Sequence, residues 1–346
     1  MTGLIIDTSY LIYRSYFAYP DLTHQGNHIG AVFGFCKTVV ATIQKYDPDY
    51  LIFARDLPTP TWRHKVYQEY KAGRAETEQR MIDQIPIITD WCNQISKNVL
   101  AIDGYEADDL IFSSAIKLTS NYTIKEAAGG DELFVDGGKD IDLDDIKQAK
   151  KTGNKVYIFS SDKDLYQLLV LPGVNFLKSK KGGDIELYGI DQFTTETALD
   201  PTQWVDYKAL VGDGSDNLKG VEGVGPKTAI KILHEIGSLF YLFENLGLNN
   251  STFTRTKNHQ SDEAKAKLEA YVSDQKNSKI IEKIRNSQTQ LISTYALACL
   301  HFLPDTKLET GIDLMAGIEV FEKYNFKSLI TTLNKMGLDK DQDGLF

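Results

Sequence analysis

Cysteine is scarce in this chain: Cys36, Cys92 and Cys299 stand far apart in 346 residues, with no CxxC spacing. That excludes a disulfide framework or a cysteine zinc site, and the three read as buried thiols in a reducing compartment. Long apolar runs are missing too. None approaches the roughly 20 residues that span a bilayer. No basic prefix precedes the first apolar run, so neither membrane association nor a secretory leader is expected, and the chain is placed in the cytoplasm. Cations are outnumbered, with 38 Lys and Arg against 48 Asp and Glu for a net charge of −10. The deficit is uneven. Residues 131–145 carry seven acids against Lys139 alone, whereas Arg63, Lys65, Lys71 and Arg74 meet only Glu69 between positions 63 and 74. Lys147, Lys150, Lys151 and Lys155 form a second basic cluster. The acidic sum therefore does not exclude a polyanionic partner.

An apolar content of 42% and a charged content of 25% belong to a globular protein with one large domain or two ordinary ones. Strand-like runs (Leu4 to Asp7, Leu51 to Phe53, Val99 to Ile102, Val156 to Phe159) alternate with helical spacing up to Leu169. This βαβ rhythm predicts an α/β fold with a parallel sheet covered on both faces. Gly30 to Tyr46 reads as a helix closed by Asp47-Pro48. Thr77 to Lys97 has helical spacing, with a kink or break expected at Pro86. Residues 125–145 read as an acidic surface insertion, Leu177 to Leu187 as a hairpin, and Asn249 to Asp262 as a polar linker. From about Pro201 the pattern is mostly helical.

Acids recur just past the apolar runs: Asp7, Asp56, Glu106, Asp108 and Asp109, Asp162 and Asp164, then Asp213 and Asp216. Ligands of open parallel sheets gather outside the carboxyl ends of the strands, so these nine carboxylates are expected to converge. Like charges in one pocket need cations. Hard oxygen donors without His or Cys among them select Mg²⁺, with Mn²⁺ as the alternative, over zinc. Two such ions can activate water and stabilise a leaving oxyanion in phosphoryl displacement. The bland readings are helix capping for Glu106, Asp108 and Asp109 and an ordinary turn for residues 213–216. Three acids within four residues exceed what a cap needs.

Residues 220–229 (GVEGVGPKTA) form a second signal. Gly223, Val224 and Gly225 make a tight turn, Pro226 suits the first helical position, and Lys227 and Thr228 follow. Such a helix-hairpin-helix presents backbone N–H groups and a helix N-terminus to phosphates without reading bases. In YQEYKAGR, Lys71 and Arg74 follow Tyr67 and Tyr70. They read either as phosphate-drawing cations with base-stacking tyrosines or as a solvated basic face. Lys65 shares that stretch; Arg14 and Arg80 read more readily as structural or surface groups.

Together these strings resemble the 5′ nuclease superfamily: flap endonucleases, bacteriophage 5′–3′ exonucleases and the 5′ nuclease domain of bacterial DNA polymerase I. IIDTSYLIYRS, WRHKVYQEYKAGR, GYEADD, SSDKDLYQLL and GDGSDNLKGVEGVGPKTA match five family motifs in order, across about residues 3 to 236. The resemblance implies a PIN-like α/β nuclease core over residues 1–200, with a basic arch over about 63–97. It implies a helical DNA-binding region over 201–346, with a helix-hairpin-helix (helix-three-turn-helix) at about 215–236. The nine acids would form the metal shell, and Lys71 and Arg74 would be the phosphate-facing cations. Arg14, Lys65, Tyr70, Arg80, Gly223, Val224, Gly225, Lys227 and Thr228 would contact DNA. Two or more Mg²⁺ and a K⁺ held by hairpin carbonyls are the implied ions. Flapped, nicked or RNA-primed 5′ ends, acted on in replication and repair in a bacterial or phage-infected cell, are the implied substrates. Relatives usually place the second acid directly after the strand's aromatic residue; here it follows as Phe53-Ala54-Arg55-Asp56. No polymerase motif follows residue 240, so the chain resembles a free-standing phage-type nuclease. A catalytically inactive DNA-binding scaffold of the same fold is the alternative, and a small-molecule phosphatase has no use for the hairpin.

Overall fold

The computed structural model describes residues 1–120, 152–180, 184–248 and 262–343. The acidic insertion at 125–145 and nearly all of the linker from Asn249 to Asp262 lie outside the described residues. A six-stranded sheet organises the first half. Its strands are β1 (Thr2–Asp7), β4 (Tyr50–Ala54), β5 (Asn98–Leu100), β6 (Lys155–Phe159), β7 (Val174–Ser179) and β8 (Ile185–Tyr188), in the order β5-β4-β1-β6-β7-β8. The first five run parallel and β8 pairs antiparallel on the edge. Two-residue strands β2 (Thr23–His24) and β3 (Asn27–His28) form a separate small hairpin.

The central strands are apolar throughout because both faces are covered. Along β1, Leu4 and Ile6 pack among α1 (Thr8–Ala18), α2 (Gly30–Tyr46) and α5 (Ile85–Ile95). Ile5 turns the other way, toward α6 (Ala107–Thr119). The segment expected to be one helix from Thr77 is broken as anticipated: α4 (Gln79–Ile82) ends before Pro86, which sits in the first turn of α5. Where an arch was implied, residues 62–66 form the short helix α3 and residues 67–78 carry turns and irregular chain.

The second half is helical. After α7 (Ile190–Thr197) come α8 (Trp204–Val211), α9 (Pro226–Ile236), α10 (Leu239–Asn245), α11 (Asp262–Ser273), α12 (Ser278–Asn286) and α13 (Gln288–Ala298). Their apolar faces continue the core begun beneath α6, through Leu233, Ile236, Ile284 and Leu291. The chain then returns to the sheet's opposite face. Asp313 and Gly317 flank this return beside α5, and α14 (Ile318–Lys323) and α15 (Lys327–Asp343) bring Phe321, Phe326 and Leu333 into the core around α2 and α5. No helix among the described residues is long and apolar enough to cross a membrane.

Candidate active site

Parallel pairing with one register brings the carboxyl ends of β1, β4, β5 and β6 to one edge of the sheet. Asp7 closes β1 and caps α1, accepting from Tyr10 N at 3.0 Å and Ser160 Oγ at 2.8 Å. Asp56 follows β4, accepting from Ser9 Oγ at 2.7 Å and from Ala107 N in the first turn of α6 at 2.8 Å. Asp162 and Asp164 follow β6; Asp162 Oδ1 accepts from Asp164 N at 2.8 Å, beginning the 3₁₀ turn Asp164–Val170. From the helical half, the loop after α8 adds Asp213 and Asp216.

Countercharge divides these acids into two groups. Lys208 of α8, which the sequence reading did not single out, bridges Asp164 and Asp213 across the two halves. Glu106 accepts from Lys71 Nζ at 2.8 Å, Arg63 at 3.2 Å and Tyr70 Oη at 3.1 Å. Asp216 accepts from Tyr70 Oη at 2.9 Å and Arg74 at 2.8 Å. By contrast, among the described residues Asp7, Asp56, Asp108 and Asp162 form no ion pair.

The electrostatics follow this division. Burial, with Asp56 and Asp162 nearby, pushes the Asp7 carboxyl up to about 7. Burial, then Asp162 and Asp7, raises the Asp108 carboxyl well above the usual carboxylate range. Asp162 has an open outer surface but is crowded from beneath. Its pKa rises through lost hydration, and Asp216 and Asp213 add to this against the pull of Lys208 and Lys71. Partial burial opposes ionisation of Asp213, yet Lys208 and the Ser215 hydrogen bonds hold it at about 2. Among the described residues no three acidic side chains stand close enough together to enclose an ion as they are. The fit to divalent metal therefore rests on charge and donor type: four hard carboxylates, three with raised pKa values, have no direct ion-pair partner among the described residues, and Lys71 and Lys208 only partly offset their charge.

Asp109 departs from its expected place in the shell. It is fully buried, and both oxygens grip Arg63, at 2.9 and 3.0 Å, while Oδ1 also accepts from His301 N at 2.9 Å. Burial resists its charge, but Arg63 lowers its pKa below the ordinary value. Arg63 spends all five guanidinium N–H donors: three on Asp109 and Glu106, two on the carbonyls of Leu297 and Cys299. Trp62 stacks on His301 at 3.9 Å beside it. Sequence reasoning counted Arg63 only as part of a basic stretch.

In the basic segment, Lys71 and Arg74 reach the acid cluster, pairing with Glu106 and Asp216. Lys71 sits at φ 55°, a left-handed conformation uncommon for a side-chain-bearing residue. Its N–H donates to the Asp216 carbonyl at 3.1 Å and its ammonium to Glu106, which together pin it. Tyr70 requires correction. Its ring is buried and its hydroxyl is shared by Glu106 and Asp216, so it cannot stack on a base. Arg14 lies half-buried with its guanidinium 5.9 Å from the Phe159 ring centre, and Lys65 and Arg80 are exposed.

In the hairpin, Gly223 takes φ 77°, Gly225 caps α9, and Pro226 opens the helix. Gly223, Gly225, Lys227 and Thr228 are exposed. The Val224 side chain is buried, leaving only its backbone for any ligand. Gln290 and Thr294 of α13 fasten the approach by donating to the carbonyls of Gly220 and Lys219.

Two family models match in order: a 5′-3′ exonuclease N-terminal resolvase-like domain over residues 2–128, and a 5′-3′ exonuclease C-terminal SAM fold over residues 199–313. A 5′-3′ exonuclease of Aquifex aeolicus is 34% identical over 257 residues, covering 74% of this chain and 77% of the relative. DNA polymerase I of Bacillus subtilis is 28% identical over 98% of this chain, and that match covers 33% of the polymerase. The chain thus spans a third of that polymerase, and matches a quarter of the thermostable DNA polymerase I of Thermus thermophilus. Among solved structures, bacteriophage T5 5′-exonuclease with bound divalent zinc ions shares the fold. The TM-score is 0.58 at 18% identity, over 96% of this chain and 99% of that one.

Proposed function

Because the chain belongs to the 5′-3′ exonuclease family, we propose that it hydrolyses phosphodiesters near the 5′ ends of flapped, nicked or RNA-primed DNA. The settings would be replication and repair, alongside replication proteins. The observation that carries this reading is the set Asp7, Asp56, Asp108 and Asp162, four acids with no ion-pair partner among the described residues, with Lys71 and Arg74 paired to the neighbouring acids Glu106 and Asp216. These four carboxylates would hold divalent ions, Mg²⁺ foremost. Such ions supply Lewis acidity and water activation when bound. T5 flap endonuclease has been crystallised with DNA and metal ions, which supports the same pairing here.

The chain's own groups do the rest. The Lys71 ammonium stays protonated: burial works against it, but Glu106, Asp216 and Asp108 raise its pKa. It offers charge to a phosphate at the rim of the acid cluster. Arg74, with 55% of its side chain exposed, can leave Asp216 for a phosphate oxygen at small cost. Both cations would neutralise charge that grows on the phosphate in the transition state. Tyr70 stays a neutral donor, since burial raises its pKa, and it orients Glu106 and Asp216. Arg63 fixes α6, and with it Glu106 and Asp108. The exposed hairpin N–H groups and Lys227 would set the position of the duplex through its phosphates.

The test is cleavage of a 5′-labelled flap substrate with Mg²⁺ and with EDTA. Short labelled products only with Mg²⁺ are expected. An absence of metal-dependent product would refute the nuclease reading.

A further inference from the structure

A neutral hydroxyl, carrying no part of the expected acid set, joins two of its members. Ser160 follows β6 directly, and Phe159 at the end of that strand pairs with Ile6 of β1. The next residues along each strand, Asp7 and Ser160, therefore fall side by side. Ser160 is fully buried. Its Oγ donates to Asp7 Oδ2 at 2.8 Å and accepts from Asp162 N at 3.0 Å.

The direction of these bonds is fixed by chemistry. A serine hydroxyl has one proton, and a backbone N–H can only donate, so that proton is left for the carboxylate. Tyr10 N holds the other Asp7 oxygen at 3.0 Å, so both oxygens are anchored. A serine two residues before an N–H commonly closes a local turn, which accounts for the Asp162 bond alone. It does not account for the bond to Asp7, 153 residues away along the chain.

We propose that Ser160 is a positioning residue for the divalent ion. It ties the Asp7 carboxylate to the Asp162 backbone, so binding an ion does not first have to immobilise each of them. Groups that orient a metal ligand from behind typically contribute 10- to 100-fold to metal affinity. The inference rests on the metal-binding reading above.

Mn²⁺ binding to the full chain without DNA, followed by the EPR signal of the free ion, tests it without turnover. Ser160→Ala should bind Mn²⁺ roughly tenfold more weakly. Ser113→Ala is the control for a merely structural loss. Ser113 is also fully buried, donating to the Asp109 carbonyl at 2.7 Å and accepting from Leu303 N at 2.8 Å. That variant should lower the urea midpoint and keep Mn²⁺ affinity within about twofold, since its hydroxyl orients none of the four acids. Wild-type Mn²⁺ affinity in Ser160→Ala would overturn the inference alone. So would an equal weakening in Ser113→Ala, which would trace the loss to stability. A wild-type protein that binds no Mn²⁺ would overturn the metal-binding reading as well.

Discussion

Arg63→Ala should be the most damaging single truncation near the site, and the structure sets its size. Arg63 is 2% exposed and Asp109 is 0% exposed, so the change strands a carboxylate with no water and no countercharge. Breaking a buried pair from one side costs about 3–5 kcal/mol. That raises the unfolded fraction by roughly a hundred- to several thousand-fold, since each 1.36 kcal/mol is tenfold. Two backbone carbonyls, those of Leu297 and Cys299, also lose their donor. Urea unfolding at pH 7.5, followed by tryptophan fluorescence, reads the loss. Asp109→Ala and the double variant complete a cycle in which the double change should cost clearly less than the sum.

Acidity gives an independent check on the same pair. In the wild-type protein the Asp109 pKa is depressed, so its contribution is present above the unfolded value of about 3.9 and is lost as pH falls through the folded value. In Arg63→Ala burial, the largest influence on Asp109, is opposed mainly by the backbone N–H groups of His301 and Glu106, and the folded pKa should lie above the unfolded one. The variant's deficit should then shrink as pH falls toward 5. A loss below about 1 kcal/mol, or a deficit that widens on acidification, would refute the view of Arg63 as the counterion that fixes α6.

Three further outcomes follow from the site. Asp162→Asn should abolish metal-dependent cleavage while DNA binding in EDTA stays within about twofold; full turnover would remove Asp162 from the metal shell. Lys71→Ala should slow single-turnover cleavage by about 10²–10³ and weaken DNA affinity far less, and an unchanged rate would deny it a part in the chemistry. Burial pushes the Asp7 carboxyl up to about 7, so an Mg²⁺ ion bound there would expel a proton at pH 6.5. Calorimetry in two buffers of different ionisation enthalpy should detect that release, and apparent Mg²⁺ affinity should fall as pH drops below 7. The ion-free protein should show the reverse sign, because a folded pKa above the unfolded one favours folding as pH falls below 7.

Much of this was legible in the sequence, for a physical reason. Strands buried on both faces must be apolar runs, and the polar residue that follows each run marks its exit from the core, so Asp7, Asp56 and Asp162 could be read as neighbours before any coordinates. The helix from Gly30 and the break at Pro86 are local backbone matters and were equally readable. What sequence could not deliver were side-chain partners distant along the chain. Arg63 meets Leu297 across 234 residues, and nothing in its own stretch distinguishes it from Lys65. Tyr70 looks like a stacking residue by type; only the fold reveals that Glu106 and Asp216 claim its hydroxyl. Lys208 sits in a short helix that is buried nearly all round, so no amphipathic spacing flags its charge. Asp109 misled because a first-turn acid looks the same whether it faces an ion or an arginine.

The Lys208 ammonium also has a mechanical part in the fold. By clasping an acid from the sheet half and another from the helical half, it works as a stitch that holds both edges of the cleft in register without any borrowed ion. Removing bound ions should then leave the two halves in place, so that reloading would need no refolding.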